Sequence, residues 1–61
     1  MITNNDTYEG INYTKFELSG LSTDAKPTVT FDGKKIANGS TFLEMDTKDV
    51  KFYDGDSDTW K

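Results

Sequence analysis

The C-terminal stretch Gly39–Lys61 constrains the fold more than any other part of the chain. Three short runs within it, Thr41–Met45, Val50–Tyr53 and Thr59–Trp60, are rich in aromatic and other strand-forming residues, and clusters of Asp, Gly, Ser and Lys separate them. Strand-forming runs bounded by such clusters are typical of β-hairpins. The stretch therefore predicts three antiparallel strands that follow one another as a meander.

The polar clusters also predict which residues face each other. If residues 46–49 form the first loop, three facing pairs are apolar and one joins opposite charges. The pairs are Met45–Val50, Glu44–Lys51, Leu43–Phe52 and Phe42–Tyr53. If residues 55–58 form the second loop, Tyr53 faces Trp60. Because a slip of one residue would turn every side chain of a strand to the other face, the pattern favours one register.

This register places apolar side chains on both faces of the sheet. Phe42, Tyr53 and Trp60 form an aromatic row across the three strands on one face. The other face carries Leu43, Met45, Val50 and Phe52. A solvated antiparallel sheet usually buries one face only, and a large apolar patch is unusual on a free monomer. We therefore expect both faces to be covered, by the N-terminal half of the chain or by another protein.

The small size of the chain strengthens the case for a covering partner. A domain of 61 residues buries only about 60% of its unfolded-chain surface. There is no Cys and no His, so neither a disulfide nor a Cys/His metal cluster can stabilise the fold. Oligomerisation or docking is the stabiliser that remains.

The N-terminal half divides at residue 10. Residues 1–10, MITNNDTYEG, are polar and aperiodic, which predicts an N-terminal arm that is mobile unless it is held, for example along a neighbouring subunit. Residues 11–61 contain no internal repeat and no low-complexity linker. They are predicted to form a single small β domain.

Two further strand signals lie in this domain. Ile11–Leu18 is rich in strand formers, and Asp32-Gly33 lies between two extended runs. Asp-Gly in this setting predicts a two-residue hairpin turn with Phe31 opposite Lys34. The prediction for the chain is an all-β fold, a small antiparallel hairpin/meander domain of about five short strands with no substantial helix.

The charge of the chain bears on its partners. The net charge is −4, the isoelectric point is about 4.4, and the seven basic residues are all lysines that are scattered along the chain. Proteins that bind nucleic acid show a basic patch, so we expect no nucleic-acid partner. No apolar run approaches the roughly 18 residues of a membrane span, so we expect no membrane association.

The search for catalytic and metal-binding chemistry gives one candidate cluster. A nucleophilic triad needs a base such as His, which the chain lacks, so we expect no enzyme, no catalytic residues and no cofactor. Asp54, Asp56 and Asp58 alternate in a loop, as carboxylates do in calcium loops. Thr59 stands where the calcium-loop pattern needs Gly, and the sequence ends before the final Glu. A turn rich in Asp and Gly explains these residues without an ion, so no metal site is predicted.

The aromatic row of Phe42, Tyr53 and Trp60 has two functional interpretations. We expect these residues to form an interface with a neighbouring subunit. The alternative is a platform for sugar rings in a carbohydrate- or host-surface-binding module, because aromatic faces stack on apolar faces.

Two segments resemble a pattern found in small bacteriophage virion-associated proteins and in modules of head or tail fibres. The segments are Gly20–Pro27, GLSTDAKP, and Gly39–Trp60, GSTFLEMDTKDVKFYDGDSDTW. The pattern has a GLSTDTKP-like turn followed by GSTFYEMDTGKVYxYDxxxxxW. The chain departs from it at Lys48, where the pattern has Gly, and in Thr28–Ile36, which inserts the Asp-Gly hairpin.

The resemblance implies a non-enzymatic structural protein of a phage particle. It would be made in the cytoplasm of a bacterial host, become part of the virion, and assemble by β-rich contacts with other virion proteins or with copies of itself. The pattern brings no catalytic residues with it. Homo-oligomers are the usual form of such assemblies.

Overall fold

Five of the seven strands form one sheet in the computed structural model, which describes all residues 1–61. The strands are β1 (Thr3–Glu9), β2 (Thr14–Gly20), β3 (Thr30–Phe31), β4 (Lys34–Lys35), β5 (Thr41–Glu44), β6 (Asp49–Asp54) and β7 (Thr59–Trp60). The sheet order is β1-β2-β5-β6-β7, and β3 and β4 form a separate two-stranded hairpin. No helix is present, so the predicted all-β class is confirmed.

One strand pair departs from the predicted antiparallel arrangement. Strands β2 and β5 run parallel, with Leu18 beside Phe42. Just before β5, the buried hydroxyl of Ser40 accepts a hydrogen bond of 3.0 Å from the Phe16 backbone N–H. Parallel neighbours need a crossover connection, whereas a tight turn can join only antiparallel strands. Residues 21–40 supply this crossover and contain the β3–β4 hairpin.

The turn inside the crossover is as predicted. Asp32 and Gly33 have positive φ angles of 54° and 75°, which is the backbone of a tight hairpin turn. Phe31 pairs with Lys34. The Phe31 ring meets the Phe16 ring of β2 edge-on, with ring centroids 5.1 Å apart. The hairpin therefore lies against one face of the sheet.

The structure corrects the expected arm at residues 1–10. Thr3–Glu9 form the edge strand β1, which pairs antiparallel with β2 and has a bulge between Asn4 and Asp6. The amino terminus is also held, because Met1 donates a hydrogen bond of 2.9 Å to Asp24. An edge strand needs only backbone pairing on one side, so a polar sequence without an apolar period can form it.

The register between β5 and β6 differs from the prediction by two residues. Leu43 pairs with Val50 and Glu44 with Asp49, so the loop is residues 45–48. Lys48 has a φ of 64°, and its N–H closes the turn on the Glu44 carbonyl at 2.7 Å. Since the side-chain period is two, a shift of two residues leaves each side chain on its predicted face.

The second loop of the meander follows the prediction. Tyr53 pairs with Trp60 and Asp54 with Thr59, so residues 55–58 form the loop. Asp58 has a φ of 53°, and it occupies the same last position of a four-residue loop as Lys48. The two loops of the meander therefore share a positive φ at one equivalent position.

The hydrophobic core lies between the sheet and the crossover. Its five buried apolar residues are Phe16, Leu18, Ile36, Phe42 and Tyr53. Ile2, Phe31 and Trp60 pack at its margin. The chain contains no helix that is long and apolar enough to cross a membrane.

Replacing Lys48 by Gly tests the strained turn. A side chain in the left-handed region costs about 1–2 kcal/mol, and the greater freedom of Gly in the unfolded chain offsets part of this gain. We expect Lys48→Gly to raise the free energy of unfolding by about 0.5–1 kcal/mol in urea titrations. Lys48→Ala removes the same charge but keeps a Cβ, so it should give no gain. Equal stabilities of the two variants would contradict this explanation.

Candidate functional site

The predicted aromatic row lies inside the chain's own core. Phe42 is fully buried, Tyr53 is 3% exposed and Trp60 is partly buried. The Trp60 ring meets Phe42 at 5.9 Å and Tyr53 at 5.0 Å between centroids, both edge-on. The sequence correctly groups these rings on one face. It misses that residues 21–40 cover that face, so the expected interface at Phe42, Tyr53 and Trp60 is corrected to a core.

The polar atoms of this row are also occupied. The Tyr53 hydroxyl accepts a hydrogen bond from the Val29 N–H and donates one to Asp58, each 2.8 Å long. Trp60 donates from its indole nitrogen to the Pro27 carbonyl at 2.8 Å. Burial raises the pKa of the Tyr53 phenol. The row therefore lacks the exposed ring faces that the sugar-platform interpretation requires.

A buried ion pair adds a third attachment of the crossover to this face. Lys26 and Glu44 are 2.7 Å apart, and their side chains are only 16% and 8% exposed. The Lys26 ammonium lies 4.8 Å from the centroid of the Phe42 ring. Its hydrogen bond to Glu44 lowers the pKa of that carboxyl, and the Thr47 hydroxyl adds a further bond of 3.0 Å. Glu44 thus has Lys26 as its partner, where the sequence predicts Lys51 opposite it.

The opposite face of the sheet carries the exposed apolar side chains of the meander. We call this surface the open face and define it by Leu43, Met45, Val50 and Phe52. These side chains are 41%, 53%, 48% and 54% exposed, respectively. Leu43 pairs with Val50 across β5 and β6, Phe52 lies two residues beyond Val50 on the same face of β6, and Met45 begins the loop that joins the two strands. The sequence predicts correctly that Leu43, Val50 and Phe52 share this face.

Charged residues of both signs flank the open face. On the β2 side, Glu17 faces Asp6 of β1, so two acids lie opposite each other, and Lys15 lies two residues before Glu17 on the same face. On the β7 side, Lys61 donates a hydrogen bond of 2.8 Å to Asp54. This bond lowers the pKa of Asp54 and raises that of Lys61. An apolar centre with a polar rim is the usual anatomy of a protein–protein interface.

The alternating carboxylates of the second loop do not converge on a common point. Asp54 accepts a hydrogen bond of 2.9 Å from the Asp56 N–H, and Asp58 accepts one from Tyr53. No group of three or more acidic side chains is placed to hold a metal ion. These residues therefore act as turn formers.

Two open depressions mark the rest of the surface. One, of about 390 Å³, is lined mainly by polar groups, among which Lys34 and Glu9 form an ion pair with each other. The other, of about 420 Å³, lies between Tyr13, Asn38 and Asp56. The open face is the surface with the clearest binding chemistry.

Comparisons with protein-family models, with curated proteins and with solved structures find no match to this chain. Its function therefore has to be argued from its own surfaces.

Truncating one phenylalanine on each face tests the assignment of core and open face. Phe42→Ala removes a fully buried ring and should cost about 3–5 kcal/mol, enough to unfold a domain of this size. Phe52→Ala removes a half-exposed ring and should change the free energy of unfolding of the monomer by no more than about 0.5 kcal/mol. Urea titrations at low protein concentration, with Trp60 fluorescence as the signal, measure both. Comparable losses would contradict the assignment.

The ion pair of Lys26 and Glu44 should make stability depend on pH. A carboxyl whose pKa is lowered by folding stabilises the fold above its unfolded pKa, and this contribution is lost as pH falls through the folded value. The ordinary pKa of Glu44 is 4.5. Glu44→Gln should therefore be less stable than the unmodified protein near neutral pH, with a smaller difference at about pH 3.

The matched control for this variant is Asp32→Asn. Asp32 is exposed and makes no hydrogen bond with its side chain, and Asn tolerates its positive φ. Its stability should stay close to that of the unmodified protein at both pH values. A Glu44→Gln deficit that stays constant with pH would show that the ion pair does not contribute as described.

Proposed function

We propose that this protein is a non-enzymatic structural component of a bacteriophage particle, in the head, the tail or a fibre, which binds other protein subunits through the open face. The observation that carries the proposal is a set of four large apolar side chains, each 41–54% exposed, of which three lie on one face of the sheet and the fourth, Met45, in the adjoining loop. Contiguous exposed apolar surface with a polar rim is typical of protein–protein contact sites.

The geometry of the first meander loop supports the connection to phage structural proteins. The pattern that the chain resembles has Gly at the position of Lys48, and that position has a φ of 64° here. Gly is the residue that adopts such a φ without strain. The residues that carry the resemblance thus span a hairpin whose geometry gives a physical reason for the Gly of the pattern.

The charge of the chain supports a protein partner over nucleic acid. The net charge of −4 opposes approach to a phosphate backbone. The rim of the open face carries acids and lysines side by side. Such a rim suits a protein partner whose surface also carries both charges. In this proposal the chain is made in the cytoplasm of a bacterial host and is then incorporated into the virion, where it contacts other virion proteins or copies of itself.

Quantitative mass spectrometry of gradient-purified particles tests this function. We expect peptides of this chain at a constant ratio to the major particle protein through successive gradients. Val50→Lys, which places a charge at the centre of the open face, should lower this ratio at least about tenfold, the effect of about 1.4 kcal/mol. Asp32→Asn lies away from the open face and should leave the ratio unchanged. A chain found only in the soluble fraction would contradict the proposal.

A further inference from the structure

The dimensions of the molecule permit an interface of ordinary size on one side. The two longer dimensions of the molecule are 33 and 22 Å, and the third is 15 Å. The longer two enclose a rectangle of about 700 Å² that spans the whole molecule, which is of the same order as the roughly 800 Å² that each partner buries in a standard protein–protein interface. A partner with a flat apolar sheet of the same dimensions would therefore match it.

Charges in one row of the sheet run from negative to positive across this face. Glu17 of β2 pairs with Thr41, and Thr41 pairs with Phe52. Phe52 exchanges backbone hydrogen bonds of 2.9 and 2.8 Å with Lys61. Directly paired residues share a face. This row therefore begins at Glu17 on β2, continues through Thr41 and Phe52, and ends at Lys61, which follows β7.

The adjacent row has the opposite polarity. Lys15 precedes Glu17 by two residues on β2, and Asp54 follows Phe52 by two residues on β6, so both lie one level further along the same face. This row runs from a lysine on the β2 side to an acid on the β6 side. Asp54 and Lys61 are in contact at 2.8 Å, which places the two rows side by side.

We propose that the open face binds a second copy of this chain, with the two sheets face to face and related by a two-fold axis parallel to the strands. This operation places the β7 side of one copy over the β2 side of the other. It sets Glu17 against the partner copy's Lys61 and Leu43 against its Val50, and it leaves Lys15 one strand away from its Asp54. The row from Glu17 to Lys61 and the apolar centre are then complementary at once, as a self-complementary two-fold interface requires.

The edges of the sheet are poorer sites for a second copy. The β1 edge is interrupted by its bulge and carries Asp6 and Glu9, and bulges and charges are the usual means of blocking edge-to-edge pairing. The β7 edge is only two residues long. Face-to-face packing with nearly aligned strands is the arrangement known from β-sandwiches.

The inference rests on the proposed function, since it names the subunit that binds the open face. Sedimentation equilibrium of the full chain over a wide range of concentrations tests it. We expect a reversible monomer–dimer equilibrium, and Val50→Lys should weaken the dimer at least about tenfold. Trp60 lies on the covered face, so an unchanged Trp60 fluorescence spectrum separates loss of the dimer from loss of the fold.

A charge exchange tests the geometry of the pairing. Glu17→Lys sets two lysines against each other and should weaken the dimer, whereas the double variant Glu17→Lys, Lys61→Glu should restore much of the loss. An exchange that restores nothing would overturn the two-fold arrangement. A Val50→Lys variant that dimerises like the unmodified chain would also overturn it.

The remaining outcomes separate this inference from the function on which it rests. A chain that stays monomeric up to about 1 mM, which corresponds to a binding free energy weaker than about 4 kcal/mol, would overturn the dimer. If such a monomeric chain is still found in purified particles, the inference fails and the proposed function stands, with another protein on the open face. A dimer that is absent from particles supports the inference and contradicts the function.

Discussion

The parallel pairing of β2 with β5 is the constraint on which the rest of the structure depends. Parallel neighbours cannot be joined by a tight turn, so residues 21–40 must cross over a face of the sheet. Residues 26–29 of this crossover are attached to β5, β7 and, through the Tyr53 hydroxyl, to β6. With only one crossover available, one face of the sheet becomes the core and the meander of β5–β7 keeps the other face exposed. The location of the exposed apolar face is thus a consequence of topology.

The sequence alone predicts the local structure of the C-terminal half well. The Asp32-Gly33 turn, the loop at 55–58 and the Tyr53–Trp60 pair are confirmed, because each depends on local turn chemistry or on the two-residue period of a strand. The two-residue period also explains why the strand residues of the aromatic row and of the open face are assigned to the correct faces, although the β5–β6 register is shifted by two residues. The shift itself arises from Lys48, whose positive φ no propensity rule assigns to a lysine.

The features that the sequence does not predict are long-range. The polar strand Thr3–Glu9 carries no apolar period, and its pairing with β2 depends on backbone groups that any residue supplies. The parallel contact of β2 with β5 joins segments that are distant in the chain, and no local signal distinguishes it from an antiparallel one. The sequence-based prediction is that both sheet faces need cover, whereas in the structure the crossover covers one face and the other is exposed. This prediction does not include the crossover, so it does not identify the face that the chain covers for itself. For this reason it places the interface at Phe42, Tyr53 and Trp60.

Leu43, Val50 and Phe52 lie on the face that we propose as the binding surface, and the aromatic row lies in the core. Nuclear magnetic resonance with a neutral, soluble paramagnetic probe tests this assignment most directly, because the probe broadens the signals of side chains that it can reach. At low protein concentration we expect strong broadening at Leu43, Val50 and Phe52 and none at Phe42 or Tyr53. At high concentration the open-face signals should become protected. Broadening of Phe42 and Tyr53 would contradict the assignment of the two faces, and open-face signals that stay accessible at every concentration would contradict the dimer.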